Sequence, residues 1–487
     1  MNRLVSFAGG RRSWVWLAGI AAVLRFLNLG VENLWYDETF TARVVNLDWS
    51  HMWQAIRGDV HPPLFYLIEA LNVRLLGSSE WALRAPSAIL GVVGVLLIYR
   101  LALDLKLERS TAFLAGLMTA IMPAALYYSQ DARMYPLLAV FVLTATIAAI
   151  REWWLLMAVA SVGAVYTQNL ALFYVASLGL GLLLTRGRVW RQMVKPVLAL
   201  ASVGAAWLPW GAVILGQAKT MGSGFWLEPL TAGGALFALP RMTMGVRLSD
   251  IFQLSLYGVS FGISFVSLIN CRRWLYRRDG LIVFVVAVGT PLLMIAASML
   301  WRNVFLARAL LPSTMILMIM WAYTLLHLGR DNALVARGLV IPALLIGLFS
   351  HYFTESGRDS IYKHLQPVRD GWRAGDVLFF SAVDTTTLTT YYMPDVPYVV
   401  WKDTDDLNHS IVSITKDAFG VPLGTLDQAL RLAREHGGRV WWLFATTATT
   451  SQAELDLIAV GESLQPTVVF TKDVYGYVLR SSIWLLQ

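Results

Sequence analysis

The sequence is poor in charged side chains and has almost no cysteine. Charged residues make up 14% of its 487 residues, whereas about a quarter of a soluble globular chain is charged. Cys271 is the only cysteine, which excludes an intramolecular disulfide. A Gly-rich phosphate-binding loop is also missing from the sequence, so no motif indicates a nucleotide substrate. The composition is therefore not that of a soluble enzyme or of a disulfide-stabilised domain.

The chain has long apolar runs instead. Hydrophobic residues account for 57% of it, and there are 20 Trp. Runs close to the ~20 residues that cross a hydrocarbon core recur between Ser13 and Tyr352. The sequence thus predicts a mainly α, polytopic transmembrane helical bundle of about eleven spans, within a range of 11–13. The predicted spans are 13–30, 83–103, 111–129, 134–150, 153–168, 170–185, 197–216, 250–270, 280–300, 305–327 and 334–353.

Arginine-rich blocks between the apolar runs indicate the topology. Three of them lie at 186–195, 272–278 and 330–337, and two predicted spans separate each block from the next. All three can therefore face the cytoplasm, as the positive-inside rule expects. This arrangement accounts for the net charge of +8 without nucleic acid as a partner. The N-terminus carries three arginines before residue 13 and no small-residue cleavage site, so we expect a retained, cytoplasmic-side first span.

One apolar segment, 61–76, is not counted as a span. Counting it would place the 186–195 block outside, and Glu69 would then lie near the bilayer centre. A carboxylate there costs at least ~2.5 kcal/mol on insertion scales. We therefore predict an interfacial or partly inserted helix. The segments expected outside are then 31–82, 130–133, 217–249, 301–304 and everything after 353.

The chain divides into two predicted domains, a transmembrane catalytic domain at 1–353 and a soluble extracytoplasmic α/β domain at 354–487. The second contains helical periodicity at 426–436 and 452–460. Its strand-like runs are 376–381, 396–401, 440–444, 467–471 and 475–480, the last two joined by a hairpin-like Asp-Val-Tyr-Gly.

The first outside loop opens with adjacent acidic residues, Asp37 and Glu38, followed by two amphipathic patterns. These patterns predict two helices in the membrane interface, anchored by tryptophans. Asp37 could act as an N-cap and Glu38 as a first-turn charge favoured by the helix dipole. Both could equally be reactive carboxylates at the membrane surface. The residues alone leave the two interpretations open.

Two further outside segments carry polar residues. His61 precedes two prolines that suit a helix start, and it could hydrogen-bond a lipid phosphate or merely belong to a rigid turn. The run from Tyr127 to Pro136 packs polar and aromatic groups into a tight turn. Within it Asp131 and Arg133 could form a surface pair of little energetic value. They could also wall a site for a sugar and its phosphate.

Taken in order, these motifs resemble a known family. They are Tyr36-Asp37-Glu38, His61-Pro62-Pro63-Leu64, Glu80 with Arg84-Ala85-Pro86-Ser87, Ser129-Gln130-Asp131-Ala132-Arg133-Met134-Tyr135, and Arg308-Ala309-Leu310-Leu311-Pro312. The set resembles the GT-C fold glycosyltransferases, in particular the bacterial branch related to protein O-mannosyltransferases and lipid A aminoarabinose transferases. The resemblance covers about the first 350 residues.

The resemblance implies a polyprenyl-phosphate sugar donor and an acceptor hydroxyl that attacks with inversion at the anomeric carbon. It places Asp37 at the active site with Glu38 beside it, and a carboxylate there can accept the hydroxyl proton. The leaving phosphate needs positive charge or hydrogen-bond donors, which Arg133, His61 and Arg308 could supply. Gln130, Asp131 and Tyr135 are further candidates for donor binding. We expect these residues to share one cavity facing the outer leaflet, with membrane lipids around it.

The sequence departs from the family pattern at two places. No lysine stands shortly after His61-Pro62-Pro63-Leu64 or just before the prolines, so the resemblance does not name the phosphate ligand. Tyr135 occupies roughly the place of a family aspartate, and Asp131 lies four residues earlier. No obligatory cofactor is predicted. A divalent cation, Mg²⁺ or Mn²⁺, remains open because Asp37, Glu38 and Asp131 offer oxygen ligands.

Three other functions compete with transfer of a single sugar. A lipid or sugar transporter would place ionisable groups near the bilayer midplane, whereas here most lie at the outer ends of spans. A ligase for whole lipid-linked oligosaccharides would share much of the architecture. A non-enzymatic scaffold around the C-terminal domain is the third. The acceptor, whether lipid, glycan or protein, is left open.

Overall fold

The computed structural model describes residues 10, 12–187, 189–220, 230–245, 250–353, 365–381, 386–403, 415–447, 452–472 and 478–486. Helices dominate the part before residue 354. Up to residue 186 they are α1 (Ser13–Phe26), α2 (Tyr36–Val45), α3 (Trp49–Gly58), α4 (Leu64–Leu76), α5 (Glu80–Asp104), α6 (Arg109–Ile121), α7 (Pro123–Ser129), α8 (Tyr135–Ile150), α9 (Trp154–Thr167) and α10 (Ala171–Arg186).

The remaining helices of this part follow the first arginine-rich block. They are α11 (Trp190–Thr220), α12 (Ala232–Met244), α13 (Asp250–Asn270), α14 (Arg272–Leu275), α15 (Arg278–Phe284), α16 (Thr290–Leu300), α17 (Leu311–His327) and α18 (Arg330–Phe353). A π-helical turn, Val285–Gly289, joins α15 to α16, and a 3₁₀ turn, Ala307–Leu310, precedes α17.

The described helices confirm a multi-pass membrane architecture. Six are long and apolar enough to cross a membrane, and the bent pair α6 and α7 gives a seventh. Four shorter apolar helices, α1, α8, α9 and α10, account for the other predicted spans. With 14 to 16 residues each, they are ~21–24 Å long at 1.5 Å per residue. Each predicted apolar segment therefore has a helix, although these four are shorter than a ~30 Å hydrocarbon core.

The bend of 60° between α6 and α7 has a local cause. Pro123 begins α7, and Met122 before it is extended, with φ −63° and ψ 123°. The ring of a proline disfavours the helical conformation in the residue before it, which interrupts the helix at that point. As a result α7 ends at Ser129 and leads directly into the polar turn that precedes α8.

The segment predicted as the first outside loop folds into three helices. α2 and α3 match the two amphipathic patterns, and α4 matches the apolar segment 61–76. Trp35, not Asp37, is the N-cap residue of α2, so Asp37 lies within the first turn. The Asp48 side chain caps α3 by accepting hydrogen bonds from the backbone N–H groups of Ser50 at 3.0 Å and His51 at 3.3 Å. The segment 217–249, predicted only as a loop, contains α12. Its start is capped by Thr231, whose Oγ1 accepts from Gly234 N–H at 3.0 Å.

The C-terminal part is an α/β unit, as predicted. Its elements are β1 (Val377–Phe380), α19 (Thr386–Tyr392), β2 (Tyr398–Trp401), β3 (Leu423–Gly424), α20 (Leu426–Glu435), β4 (Val440–Thr447), α21 (Gln452–Ser463), β5 (Thr467–Lys472) and β6 (Val478–Leu486). The sheet order is β3-β2-β1-β4-β6-β5. Strands β1 to β4 pair in parallel, whereas β6 runs antiparallel to β4 and β5.

Each predicted strand has a counterpart in this sheet, and the pairing of β5 with β6 agrees with the predicted hairpin. The hairpin turn itself lies outside the described residues. Of the elements named above for this unit, β3 and α19 were not predicted. Strand β3 has only two residues, and α19 is rich in threonine and tyrosine, which are weak helix formers.

Candidate active site

Asp37 is held at the start of α2 by guanidinium groups from two distant parts of the chain. Its Oδ2 accepts a hydrogen bond from Arg308 Nη1 at 2.7 Å, and Arg133 Nε lies 3.8 Å from the same oxygen. Arg133 Nη1 also donates to the backbone carbonyl of Asp37 at 3.3 Å. The 3₁₀ turn before α17 presents Arg308, and the turn between α7 and α8 presents Arg133. Three predicted site residues therefore meet.

A chain of hydrogen bonds continues from Arg133. Its Nη2 lies 3.3 Å from His61 Nε2, and His61 Nδ1 lies 3.0 Å from Asp59 Oδ2. The Tyr66 hydroxyl donates to the same Asp59 oxygen at 2.5 Å. Because a guanidinium can only donate, His61 must accept at Nε2 and carry its proton at Nδ1. The imidazole is thus neutral, with its orientation fixed from both sides.

The pKa shifts agree with this arrangement. Burial lowers the pKa of His61, and the positive charges of Arg133 and Arg308 lower it further, against an opposing effect of Asp59. Burial acts to raise the pKa of Asp59, but its contacts with His61, Tyr66 and Arg133 outweigh burial and lower it. Burial acts to lower the pKa of Arg133, yet Asp37 and other neighbours raise it. At neutral pH this chain of hydrogen bonds therefore links an ionised Asp59, a neutral His61 and a positively charged Arg133.

Tyr135 forms an aromatic wall beside the two guanidiniums. Arg308 Cζ lies 5.5 Å from the centre of its ring, close enough for a cation–π interaction. The rings of Tyr128 and Tyr135 pack with centroids 4.9 Å apart. The Tyr135 side chain is fully buried, and its hydroxyl has no hydrogen-bond partner among the described residues. Tyr135 thus packs against Tyr128 and Arg308 and is closed off from solvent.

Glu38 has a different environment from Asp37 although the two are adjacent. It is fully buried, and Arg84 grips both of its oxygens, Nε to Oε1 and Nη2 to Oε2, each at 2.7 Å. The backbone N–H groups of Ala132 at 2.9 Å and Trp35 at 3.3 Å donate to it as well. Four donors leave little capacity for a substrate proton. Through these hydrogen bonds Glu38 links α2 to α5 and to the turn at 130–134.

Gln130 and Asp131 also make contacts within the protein. The Gln130 amide donates to the carbonyls of Leu24, Arg25 and Leu27 at 3.3, 3.1 and 2.8 Å, and its Oε1 lies 2.7 Å from His351 Nε2. Asp131 Oδ1 accepts from the Trp35 indole N–H at 2.8 Å. These contacts hold the end of α1 and the start of α2 against the turn that carries Arg133.

A cavity of about 570 Å³ opens next to this cluster. Arg308 lies in its wall and so connects the cavity to Asp37. The turn after α1, the helices α7, α12 and α18, and the residue Gln253 of α13 supply other parts of the lining. Its polar and aromatic lining includes Glu32, Tyr127, Tyr128, Arg241, Gln253 and His351. Arg241 makes no ion pair within the part of the chain that the structure describes.

The described carboxylates do not form a metal-binding cluster. Among those residues, no three His, Cys, Asp or Glu side chains are grouped so as to hold a metal ion. Asp37 is paired with Arg308, and Asp131 accepts the Trp35 indole N–H. The possible Mg²⁺ or Mn²⁺ site therefore stays a prediction.

Sequence reasoning missed several residues of the cluster. Asp59 and Tyr66 complete the His61 chain, and the signal for Asp59 was its position two residues before His61. Arg84 belonged to the third motif, but its partner Glu38 lies 46 positions away. Arg241 lies in a segment without a motif, and no sequence signal marks it.

The fold resembles that of the membrane-embedded GT-C glycosyltransferases, which confirms the resemblance seen in the motifs. Residues 60–211 match the family described as dolichyl-phosphate-mannose-protein mannosyltransferase. The match includes His61, Arg84, Arg133 and Tyr135.

Two particular relatives extend this comparison. "Putative mannosyltransferase YkcB" of Bacillus subtilis (strain 168) is 28% identical over 207 residues, which cover 38% of this chain and 29% of that protein. ArnT from Cupriavidus metallidurans shares the fold along almost its whole length. Its structure bound to undecaprenyl phosphate has a TM-score of 0.62 with 14% identity and covers 98% of both chains. Its apo structure gives 0.63 with 14% identity over 97% of both.

Proposed function

We propose that this chain is a membrane glycosyltransferase that moves one sugar from a polyprenyl-phosphate donor to an acceptor hydroxyl, with inversion, on the extracytoplasmic face. The observation that carries the proposal is the 2.7 Å contact between Asp37 and Arg308 at the wall of the large cavity. A carboxylate can accept the proton of the hydroxyl, and a guanidinium can bind the phosphate. The family match and the undecaprenyl phosphate of ArnT support a lipid-phosphate donor.

The donor phosphate binds to Arg308 and Arg133 in this proposal. Both guanidiniums are largely buried, with side chains 18% and 3% exposed, so an anion meets them in a medium of low dielectric constant where attraction is strong. The neutral His61 accepts a hydrogen bond from Arg133 and so fixes the position of that guanidinium. The sugar then lies against Tyr128, which lines the cavity and packs on Tyr135.

Donor binding also prepares the base. Without a donor, Asp37 Oδ2 is neutralised by Arg308 Nη1. A phosphate that competes for Arg308 releases that oxygen toward the acceptor. As the acceptor oxygen bonds to the anomeric carbon, its proton passes to Asp37. The bond from the anomeric carbon to the phosphate oxygen breaks, and polyprenyl phosphate leaves with the electron pair.

The roles of Glu38, Gln130 and Asp131 in this proposal are to hold the site together. Their polar atoms contact the chain itself. Asp37 is therefore proposed as the general base, with Glu38 as a positioning residue beside it.

A transfer assay tests the function. Purified protein in lipid nanodiscs receives a panel of labelled polyprenyl-phosphate sugars together with a membrane acceptor fraction. We expect transfer of one labelled sugar and release of polyprenyl phosphate. Transfer of a whole lipid-linked oligosaccharide, or movement of the lipid across liposomes without transfer, contradicts the proposal.

Binding of the donor gives a second measurement. Arg308→Gln removes a charged donor, a contact worth about 1.5–3 kcal/mol, so we expect the Kd for donor to rise about 10- to 150-fold. Arg273→Gln, at an exposed position in the predicted cytoplasmic block, is the matched control. Equal donor affinity in the two variants would show that Arg308 does not bind the donor phosphate.

A further inference from the structure

The helix that carries Asp37 is attached to the C-terminal unit at its opposite end. Arg43, in the last turn of α2, donates from Nη1 to Thr386 Oγ1 at 3.0 Å and from Nη2 to the Tyr398 hydroxyl at 3.2 Å. Nη2 also donates to the Phe419 carbonyl at 3.3 Å. The guanidinium carbon lies 4.3 Å from the centre of the Phe419 ring. One side chain of α2 thus contacts three separate segments of the C-terminal unit.

The start of α2 is fastened to the same unit. The Leu34 backbone N–H donates to the Tyr392 hydroxyl at 2.7 Å. Thr39 Oγ1, in the first turns of α2, lies 3.3 Å from Thr387 Oγ1 in a buried contact. Both partners belong to α19. Contacts with the C-terminal unit therefore bracket Asp37 on both sides along the chain.

We propose that the C-terminal unit positions the Asp37 carboxylate for transfer, with Arg43 as the main positioning residue. This inference rests on the proposed function, in which Asp37 is the base. None of the Arg43 contacts reaches Asp37, Arg133 or Arg308, so Arg43 acts only through α2. The helix α2 has ten residues and is therefore ~15 Å long. Because so short a helix moves as a rigid body, a change in its direction at Arg43 also displaces Asp37.

A small shift at Asp37 has a large effect on rate. Displacing a reacting group by about 1 Å can reduce the rate of a reaction by ~10²-fold. Arg133 and Arg308 contact α2 but belong to other segments, the turns before α8 and α17, so phosphate binding depends less on the direction of α2 than proton transfer to Asp37 does. Loss of the Arg43 contacts should therefore lower kcat and leave donor affinity unchanged.

The first test compares Arg43→Gln with Arg431→Gln, an exposed arginine of α20. We expect kcat for Arg43→Gln to fall about tenfold or more, by the same geometric argument, with the donor Kd within twofold of wild type. Arg431→Gln should match wild type in both. A weaker donor Kd with unchanged kcat in Arg43→Gln overturns the proposal.

A disulfide rescue separates positioning from a general loss of stability. Thr39→Cys with Thr387→Cys replaces two hydroxyls 3.3 Å apart, and a disulfide there would re-attach α2 to α19. The native Cys271 is fully buried and does not interfere. In the Arg43→Gln background we expect oxidation to restore most of the kcat and reduction to remove it again. An oxidised triple variant as slow as Arg43→Gln contradicts the positioning role.

Hydrogen exchange of α2 tests its attachment to the C-terminal unit without relying on the sugar-transfer assay. Backbone amides of 36–45 should exchange faster in Arg43→Gln than in wild type, and the oxidised disulfide should restore their protection. Unchanged exchange in Arg43→Gln overturns the attachment even if the protein transfers no sugar. Faster exchange in a protein without transferase activity would instead refute the proposed function alone.

Discussion

Asp37 and Glu38 show how neighbouring carboxylates acquire different environments. The Asp37 side chain is 17% exposed and lies beside two guanidiniums, of which Arg308 lines the cavity. Glu38 is buried and accepts four hydrogen bonds from the chain itself. The helix turns by about 100° between adjacent residues, so the two side chains of α2 face different surroundings. Under the proposed function, Asp37 is the one that meets the substrate.

Breaking the Glu38–Arg84 pair should destabilise the protein. Removing one partner of a buried ion pair leaves the other charge unpaired and typically costs about 3–5 kcal/mol. Glu38→Gln and Arg84→Gln should each lower the thermal unfolding midpoint in detergent, and the double variant should lose less than the two losses added together. Arg278→Gln is the control, because its pair with Glu152 is 39% and 52% exposed. An equal midpoint for Glu38→Gln and this control would show that the buried pair does not stabilise the fold.

The helices illustrate what a sequence pattern can predict. Apolar run lengths gave the spans within a few residues, because burial in lipid demands continuous apolar segments. The same pattern could not show that α6 and α7 bend by 60° or that α12 lies in the 217–249 segment and faces the cavity. These features depend on packing between segments that are distant in the chain.

The motifs indicated individual candidate residues but not the contacts between them. The motifs named Asp37, His61, Arg133 and Arg308, and the structure links them through hydrogen bonds. Pairing Asp37 with Arg308 requires bringing together positions 271 residues apart. Nothing in a single sequence specifies such a pairing, and the same holds for the attachment of Arg43 to the C-terminal unit.

The helix α4 contains a buried acid, Glu69, that makes stability depend on pH. Burial raises the pKa of Glu69 from 4.5 to about 8, so the folded protein keeps this group protonated at neutral pH. The folded-state pKa lies above the unfolded one, so the stabilisation is fully present below pH 4.5 and is lost as the pH rises through about 8. We expect the thermal unfolding midpoint to fall between pH 5 and pH 8.

Glu69→Gln should remove most of that pH dependence, since glutamine stays neutral and nearly isosteric. Glu435→Gln, at an exposed position of α20, should retain the wild-type profile. Parallel profiles for wild type and Glu69→Gln would assign the pH dependence to another group.

At the scale of the whole molecule, the topology decides which side of the membrane the site faces. The predicted arrangement puts 271–279 in the cytoplasm and the C-terminal unit outside. In a Cys271→Ser background, Glu435→Cys should react with a membrane-impermeant thiol reagent in intact cells. Tyr276→Cys, 86% exposed in the predicted cytoplasmic block, should react only after lysis. The reverse labelling pattern would invert the topology.

The helical part and the C-terminal unit have different roles in the proposed function. The helical part contains the cavity, the guanidiniums of Arg133 and Arg308, and the Glu38–Arg84 ion pair. The C-terminal unit contacts the helix that carries Asp37. Under the proposed function, donor binding belongs to the first part, and the orientation of the base depends on both.

The central claim is that Asp37 accepts the acceptor proton during sugar transfer. Its most direct test is single-turnover transfer by Asp37→Asn at saturating labelled donor, with equilibrium donor binding measured on the same sample. Loss of general-base catalysis alone predicts transfer slower by roughly 10²–10⁴. Donor binding should remain intact, because asparagine is nearly isosteric and both guanidiniums remain. Near-normal transfer by Asp37→Asn, with Glu38→Gln folded but inactive, would contradict the assignment.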